Sequence, residues 1–391
     1  MFTDELDRGK ERSPYYRRVI EELLKDPSIE LTLLHAKRNP DQPLYKQARE
    51  IILPRIELPV ASRFVSFIRF CLTTKERFDI VHWFHPRVFP FFWLFPAKKT
   101  VIMTHAGGDV LSPTDIWSWS RFVFNYTLIW FSRYVDAFIG VSNYGTREII
   151  YAYRVPPQKV FTIFPALDQM YDPLPSDTWV SATLKKYGLE KGTYILFLGR
   201  FRLHKHVGHL VRSYICYREQ NPDAKEILAL AGSTKDEYVR SFGELPTSAF
   251  TSDIKFVGYI EADDVPSIYC GATVVSFVTL SEGFGMPILE AFACKVPVIA
   301  ANVTASPEAA GNAAIIVDPH DGQALTDAFA LVRKPDVRKK LVERGFARSR
   351  FFTIEMSVGG TKDLYRHLLG EDTHLRFDER SRMPIALPYE M

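Results

Sequence analysis

Residues 279–300 read TLSEGFGMPILEAFACKVPVIA, and two acids, Glu282 and Glu290, stand in them with seven residues between. The apolar run 273–277 just before predicts a strand, Ser281 to Gly285 a loop, and Met286-Pro287 the first turn of a helix. Proline suits that turn because no N–H is needed there. The loop glycines let backbone approach a ligand closely. Free N–H groups at a helix start favour an anion or an oxygen-rich sugar. In open parallel sheets, ligands bind beyond the carboxyl ends of strands, which is where this loop falls. Glu290 is flanked by Ile288, Leu289, Ala291, Phe292 and Ala293, so its helix is apolar on nearly every side and is expected to be central. A carboxylate there is costly unless it is paired or well hydrogen-bonded. Ligand hydroxyls would supply those bonds, and so would an arginine elsewhere in the chain. Glu282 reads equally as a ligand contact or as a solvated loop acid.

Working outward, strand-like runs alternate with helical patterns along most of the chain. They fall at 30–35, 79–83, 100–105, 137–141 and 160–164, and then at 193–199, 226–231, 253–258, 273–277, 296–300 and 313–317. Helical patterns cover 15–24 and 207–217. Strands alternating with helices imply parallel sheets wound on both faces. Eleven strands are many for one sheet, so two Rossmann-like domains fit better. The polar segment 168–181, DQMYDPLPSDTWVS, is the expected joint. The expected domains are 1–176 and 177–352, followed by a final helix over 353–370 and a tail over 371–391. A doubly wound domain opens with a strand, a glycine-bearing turn and a helix. This sequence opens at the turn, Asp7-Arg8-Gly9-Lys10, which leads to two expectations: the first strand lies upstream of Met1, or the fold tolerates its absence.

Composition narrows the function classes. The net charge of +3 does not fit a nucleic-acid protein. Cys71, Cys216, Cys270 and Cys294 are scattered without metal-site spacing, as in a reduced cytoplasmic protein. The opening residues are too charged for a signal peptide, and no long apolar run could cross a bilayer. Aromatics crowd the first half, in HWFHPRVFPFFWLFPAKK and WSWSRFVFNYTLIWFSRY. They read as core packing or, with Lys98, Lys99, Arg121 and Arg133 nearby, as a lipid-facing surface.

Further residues carry candidate chemistry. Arg200 follows the run 194–199, and Lys205 comes five residues later in GRFRLHKHVGHL. A guanidinium and an ammonium suit a departing diphosphate, and the alternative is a basic surface loop. His105 ends an apolar run beside Gly107-Gly108, facing either a cleft or main-chain groups in a core. His204, His206 and His209 lack helical spacing and a completing acid or thiol, so no metal is expected there. Asp263-Asp264 is expected to open a helix near Val265 rather than to bind metal.

At this point a family becomes recognisable. Residues 281–300, with the following NVTASPEAAGNAAIIVDPHDGQAL, closely resemble the donor site of retaining GT-B glycosyltransferases of family 4. The resemblance runs from about 79 to 369 and is strongest in the second half. It implies two Rossmann-like domains facing a central cleft. It implies that Glu282 contacts the donor-sugar hydroxyls and Glu290 the ribose hydroxyls. The loop Gly283, Phe284, Gly285 and Met286 would lie against sugar and phosphates. Gly199, Arg200 and Lys205 match the family's G-R-x4-K, which faces the diphosphate. Val257, Gly258 and Tyr259 would hold the base through main-chain atoms. His105 would stand near the donor sugar, and Asp109 is a candidate for acceptor hydroxyls. The co-substrate is a nucleotide-diphospho-sugar, with no cofactor and no metal required. The stretch PEAAGNAAIIVDP points toward GDP-mannose among GDP- and UDP-sugars. The acceptor would be a glycan or lipid-linked hydroxyl in surface polysaccharide or glycolipid synthesis. The enzyme would then work in the cytoplasm, at the inner face of the membrane. Three departures stand out: Lys295 and His206 replace family glycines, and DRGKERSPYY carries only Gly9 where relatives are glycine-rich. Other readings of the same architecture are a sugar-nucleotide epimerase or hydrolase and a non-catalytic nucleotide-sugar-binding protein.

Overall fold

A computed structural model describes residues 1, 14–35, 43–53, 62–84, 91–104 and 129–371. His105, Asp109, the Asp7–Lys10 turn and Arg12 lie outside them. The chain divides into two compact units, Met1–Ala166 with Thr353–Met391, and Leu167–Phe352. The divide comes ahead of the expected 176/177 boundary for a local reason. Leu167 N–H donates to Phe352 O at 2.8 Å, and Tyr171 is buried with its ring 6.3 Å from that of Tyr269.

In the first unit, α1 (Pro14–Leu24), β1 (Thr32–His35), β2 (Arg49–Ile52) and α2 (Ser62–Thr73) come first. They are followed by β3 (Phe78–Trp83), β4 (Ala97–Thr104), β5 (Ala137–Gly140), α3 (Asn143–Tyr153) and β6 (Val160–Thr162). β3, β4, β5 and β6 form a parallel sheet in chain order, and β1 pairs β2 in parallel. β2 was not expected, since four residues near Pro43 and Pro54 give too short a pattern to separate from loop. Ile102, Met103, Phe138 and Ile139 are fully buried, which is why these strands show apolar runs and not alternation. The described part of the first aromatic segment is largely core: Trp83, Phe84, Phe92 and Phe95 are buried, and Trp93 stacks on Phe131 at 3.5 Å. Trp130 remains 70% exposed.

The second unit contains α4 (Asp177–Lys186), β7 (Tyr194–Leu198), α5 (Val207–Gln220), β8 (Ile227–Ala231) and α6 (Lys235–Phe242). Next come β9 (Ile254–Gly258), α7 (Val265–Gly271), β10 (Val274–Phe277), α8 (Met286–Ala293) and β11 (Val298–Ala301). The series ends with α9 (Ser306–Ala310), β12 (Ile315–Val317), α10 (Gly322–Val332) and α11 (Pro335–Ser349). The six parallel strands run in the order β12-β11-β10-β7-β8-β9. The chain reverses its direction of sheet growth between β7 and β10, and a doubly wound sheet opens a crevice at such a switch point. Phe197, Val211, Tyr214, Leu230, Ile299 and Phe329 belong to the core cluster that packs helices onto this sheet. The last helix, α12 (Ile354–Leu369), belongs to the first unit. There Ser357 Oγ meets Tyr15 OH at 2.6 Å, Lys362 pairs Asp26 at 2.7 Å, and Tyr365 OH meets His82 Nδ1 at 2.6 Å.

Candidate functional site

The loops after β7 and β10 meet at the switch point. His204 O accepts from Leu280 N–H at 2.8 Å, which ties one loop to the other. Lys205 Nζ then reaches Glu282 Oε1 at 2.5 Å, both side chains being less than a fifth exposed. Glu282 is therefore a held group and not a solvated loop acid. Its own N–H donates to Thr304 Oγ1 at 3.0 Å. The Lys205 ammonium also stands 5.2 Å above the Phe277 ring at the end of β10. Nearby, Phe284 is buried edge-on to Phe352 at 5.3 Å and pins the loop. Gly285 takes φ 106°, which only glycine adopts without strain, and leads into α8 at Met286.

Glu290, one turn into α8, has no cation partner among the described residues. Tyr269 OH donates to Oε2 at 2.8 Å, and Tyr171 gives a second hydrogen bond. Desolvation pushes its carboxyl up to about 6, against those two bonds, with Asp168 adding to the rise. The arginine alternative is thus replaced by two tyrosines. Tyr171 and Tyr269 gave no signal in the sequence because they stand on separate segments that only the fold brings to α8.

A cavity of about 810 Å³ opens at the carboxyl ends of β7 and β8. Gly199, Arg200 and Tyr259 line it, and so do Arg202, Ser233 and Arg240. Phe201 is buried and fixed by two bonds, its N–H to Ser233 Oγ at 3.1 Å and its carbonyl from Ser241 at 3.1 Å. That anchoring leaves Arg200 exposed, with no side-chain hydrogen bond or ion pair among the described residues. Three guanidiniums face the single carboxylate Glu237 in this lining, an excess of positive charge suited to an anion. Glu237 itself closes a capping box with Thr234 at the start of α6. Ser233 and Thr234 were missed, although the T-x-x-E pattern after an apolar run marks that helix start.

Strand spacing is kept tight by glycine. Gly232 has φ 97°, and a Cβ there would lie 2.8 Å from Gly199 O. Gly232 N–H donates to Gly258 O at 2.7 Å, so Gly258, at the end of β9, is part of the same rim. Val257 is partly buried and Tyr259 is 57% exposed. The structure thus gathers Gly199, Arg200 and Tyr259 in one cavity and joins Lys205 to Glu282 at the switch point. Lys205, Glu282 and Glu290 do not line that cavity.

The two described departures from family glycine both sit where the backbone is left-handed. His206 takes φ 54° and Lys295 φ 58°, so both side chains occupy left-handed positions that glycine fills at no cost. His206 and His209 stack at 4.6 Å, and His320 lies 5.7 Å from His206. Among the described residues no group of three or more His, Cys, Asp or Glu side chains is placed to hold a metal ion. Asp264 stands at the N-cap of α7, which begins at Val265 as expected, but its side chain makes no cap bond and instead accepts from Lys186 Nζ and Tyr187 OH, each at 2.7 Å.

Residues 192–332 match the model "Glycosyl transferases group 1", and residues 15–169 match "Glycosyltransferase Family 4". The chain belongs to glycosyltransferase family 4. Among curated relatives, it is 29% identical over 230 residues to an Escherichia coli protein named O-antigen chain mannosyltransferase B, covering 58% of this chain and 60% of that one. It is 26% identical over 252 residues to D-inositol 3-phosphate glycosyltransferase of Salinispora tropica, covering 60% and 52%. The match therefore spans only half to three-fifths of these relatives' length. Among solved structures, Anabaena HepE in complex with UDP has a TM-score of 0.69 at 17% identity, over 93% of this chain and 98% of that one. A glycosyltransferase from Rickettsia africae has a TM-score of 0.68 at 17% identity, over 91% and 95%. These likenesses establish the GT-B fold. Among the described residues no helix is long and apolar enough to cross a membrane.

Proposed function

We propose that this chain is a retaining glycosyltransferase that moves a hexose from a nucleotide-diphospho-sugar to a hydroxyl acceptor. The observation that carries the reading is the Lys205–Glu282 pair at 2.5 Å across the switch point, where parallel sheets bind ligands. Fixed cations at a departing diphosphate are a main catalytic device of such reactions. Arg200, unpartnered among the described residues, and Lys205 take up the charge on the leaving oxygen as the bond to the anomeric carbon breaks. The acceptor oxygen attacks that carbon from the face the diphosphate leaves, which retains the configuration. Glu282 accepts from sugar hydroxyls while it holds Lys205 in place. Glu290, steadied by two tyrosines, accepts from the ribose hydroxyls. Gly199 and the loop Gly283–Met286 bring amides to the phosphates, and Val257, Gly258 and Tyr259 border the base. His105 serves the reacting centre and Asp109 the acceptor.

Arg200 and Lys205 neutralise the leaving group in this reading, so no resident metal or cofactor is needed. The mannosyltransferase relative favours GDP-mannose as donor and a surface polysaccharide or glycolipid as product. Exposed Trp130, with Arg133 close in sequence, favours a peripheral contact with the inner face of the membrane for a lipid-linked acceptor. A thermal-shift screen across GDP- and UDP-sugars, followed by anomeric analysis of the product, tests the whole reading. A best hit that yields an inverted product, or no shift with any nucleotide sugar, overturns it.

A further inference from the structure

A left-handed backbone position is easy for glycine and costly for most other residues. Among the described residues, Arg154, His206, Lys295 and Thr304 stand at such positions, and Thr304, with φ 54°, is the β-branched one. A branched Cβ crowds the backbone at this φ, so the surrounding structure has to hold the residue there. Thr304 lies in Asn302-Val303-Thr304-Ala305, the loop from β11 into α9. A threonine just before a helix ordinarily caps it. Here the N-cap is Ala305, and no side chain makes a cap bond to α9. The Thr304 hydroxyl is used elsewhere: its Oγ1 accepts from Glu282 N–H at 3.0 Å.

That bond crosses between loops of adjacent strands, which run in the order β11-β10-β7. On the β7 side, the loop after β10 is held by Leu280 N–H to His204 O at 2.8 Å and by the pairing of Lys205 with Glu282. On the β11 side it is held by Thr304. Glu282 is thus fixed twice, its main chain by a hydroxyl and its carboxylate by an ammonium. The turn that carries Thr304 is itself anchored. Asn302 N–H donates to Val317 O at 2.9 Å, and Ala305 is fully buried. The Arg348 guanidinium donates to the carbonyls of Glu308 and Ala309 in α9. A strained residue on a rigid turn, presenting one hydroxyl to one amide, is a means of fixing a neighbouring group.

The geometry points to Thr304 as a positioning residue for sugar transfer, one that sets the Glu282 carboxylate against Lys205 by holding the Glu282 amide. It acts through Glu282 and not on the reacting atoms. The inference rests on the reading of Glu282 as the acceptor of donor-sugar hydroxyls. In that reading Glu282 serves the sugar and not the nucleotide. Loss of the Thr304 hydroxyl therefore weakens the hold on the sugar and leaves the nucleoside diphosphate bound as before.

Three variants separate the hydroxyl from the backbone. Thr304→Val keeps the branched shape and loses the hydroxyl. Thr304→Ser keeps the hydroxyl, and Thr304→Gly loses both the hydroxyl and the strain. Hydrogen exchange at the Glu282 amide, measured without ligand, is expected to quicken at least about tenfold in the Val and Gly variants and to stay near wild type in Ser. Isothermal titration then compares GDP-mannose with GDP, and UDP-glucose with UDP. The diphosphates are expected to bind within about twofold of wild type throughout. The nucleotide sugar that wild type binds is expected to weaken about five- to tenfold in Val and Gly, with Ser restoring it. Should the Val variant not fold, Gly carries the test, since relief of the left-handed φ should keep its Tm within about 3 °C of wild type. Unchanged Glu282 exchange, or diphosphate and nucleotide sugar weakening together, overturns the inference. So does a Ser variant as impaired as Gly. A wild type that binds neither GDP nor UDP overturns the donor reading and this inference with it. Normal wild-type binding, with all variants behaving alike, overturns this inference alone.

Discussion

The two units solve the same architectural problem differently. In Leu167–Phe352, β7 stands in the middle of six strands with β8 on one edge and β10 on the other, and the candidate site forms where those neighbours part. In the first unit the described strands fall into two groups, β1-β2 and β3-β4-β5-β6. A central strand therefore does more than add hydrogen bonds. It sets the register of both neighbours, and its carboxyl end supplies the loop on which a site is built. In the second unit that strand is β7, and Gly199, Arg200 and Lys205 follow it.

The strongest way to break this comparison is to remove the cations that follow β7. Arg200→Ala and Lys205→Ala are each expected to lower kcat by about 10²–10³; Tm should change little in Arg200→Ala and fall in Lys205→Ala, which leaves Glu282 without its cation. A loss of less than tenfold in both would show that the end of β7 does not organise transfer.

Glu290→Ala is expected to abolish the thermal shift produced by any nucleotide sugar, and an unchanged shift removes Glu290 from the donor site. Its titration sharpens the point. The carboxyl has a folded value of about 6 against an ordinary 4.5, so the folded state holds the proton more tightly. The stability contributed is fully present below about 4.5 and is lost as pH rises through 6, at most roughly 2 kcal/mol. Donor binding, which uses the carboxylate, should run the other way and weaken as pH falls below about 6. Isothermal titration of wild type and Glu290→Gln from pH 5 to 8 checks this, with the slope expected to vanish in the variant.

A smaller effect is expected at the strand rim. Gly232→Ala forces a Cβ to within 2.8 Å of Gly199 O at a left-handed φ, so a loss of about 1–3 kcal/mol in unfolding free energy is expected by denaturant titration. An unchanged midpoint would mean that the rim between β7 and β8 is slack. The smallest effect belongs to His206→Gly. Relief of the left-handed φ of 54° is offset by a more flexible unfolded chain, so the stability change should stay within about 1 kcal/mol. A larger loss would mean that the ring stack with His209 fixes the Lys205 turn.

The second unit was the more legible in sequence because its inner strands β7, β8, β10 and β11 are buried on both faces and read as unbroken apolar runs. Observed ends lie within a few residues of those expected, as for β7 at 194–198 against 193–199. β2 escaped because four residues with only partial burial carry no pattern distinct from loop. Glu282, Glu290, Arg200 and Lys205 were visible because acids and bases among apolar runs are costly and so stand out. Their partners were not. The sequence offered an arginine or a ligand for Glu290 and a ligand or solvent for Glu282, and the fold added Tyr171, Tyr269 and Lys205.

By itself the sequence determined the alternation of strand and helix, the type of the charged groups, and the loops that carry them, since each depends on neighbours within a few residues. Only the tertiary structure decided that Ile195 in β7 and Val274 in β10, remote in the chain, are neighbours in the sheet, so that the two strands flank the same crevice. It also decided that Lys205 meets Glu282. Those facts depend on sheet order and on distances between remote segments, which no local pattern of residues encodes.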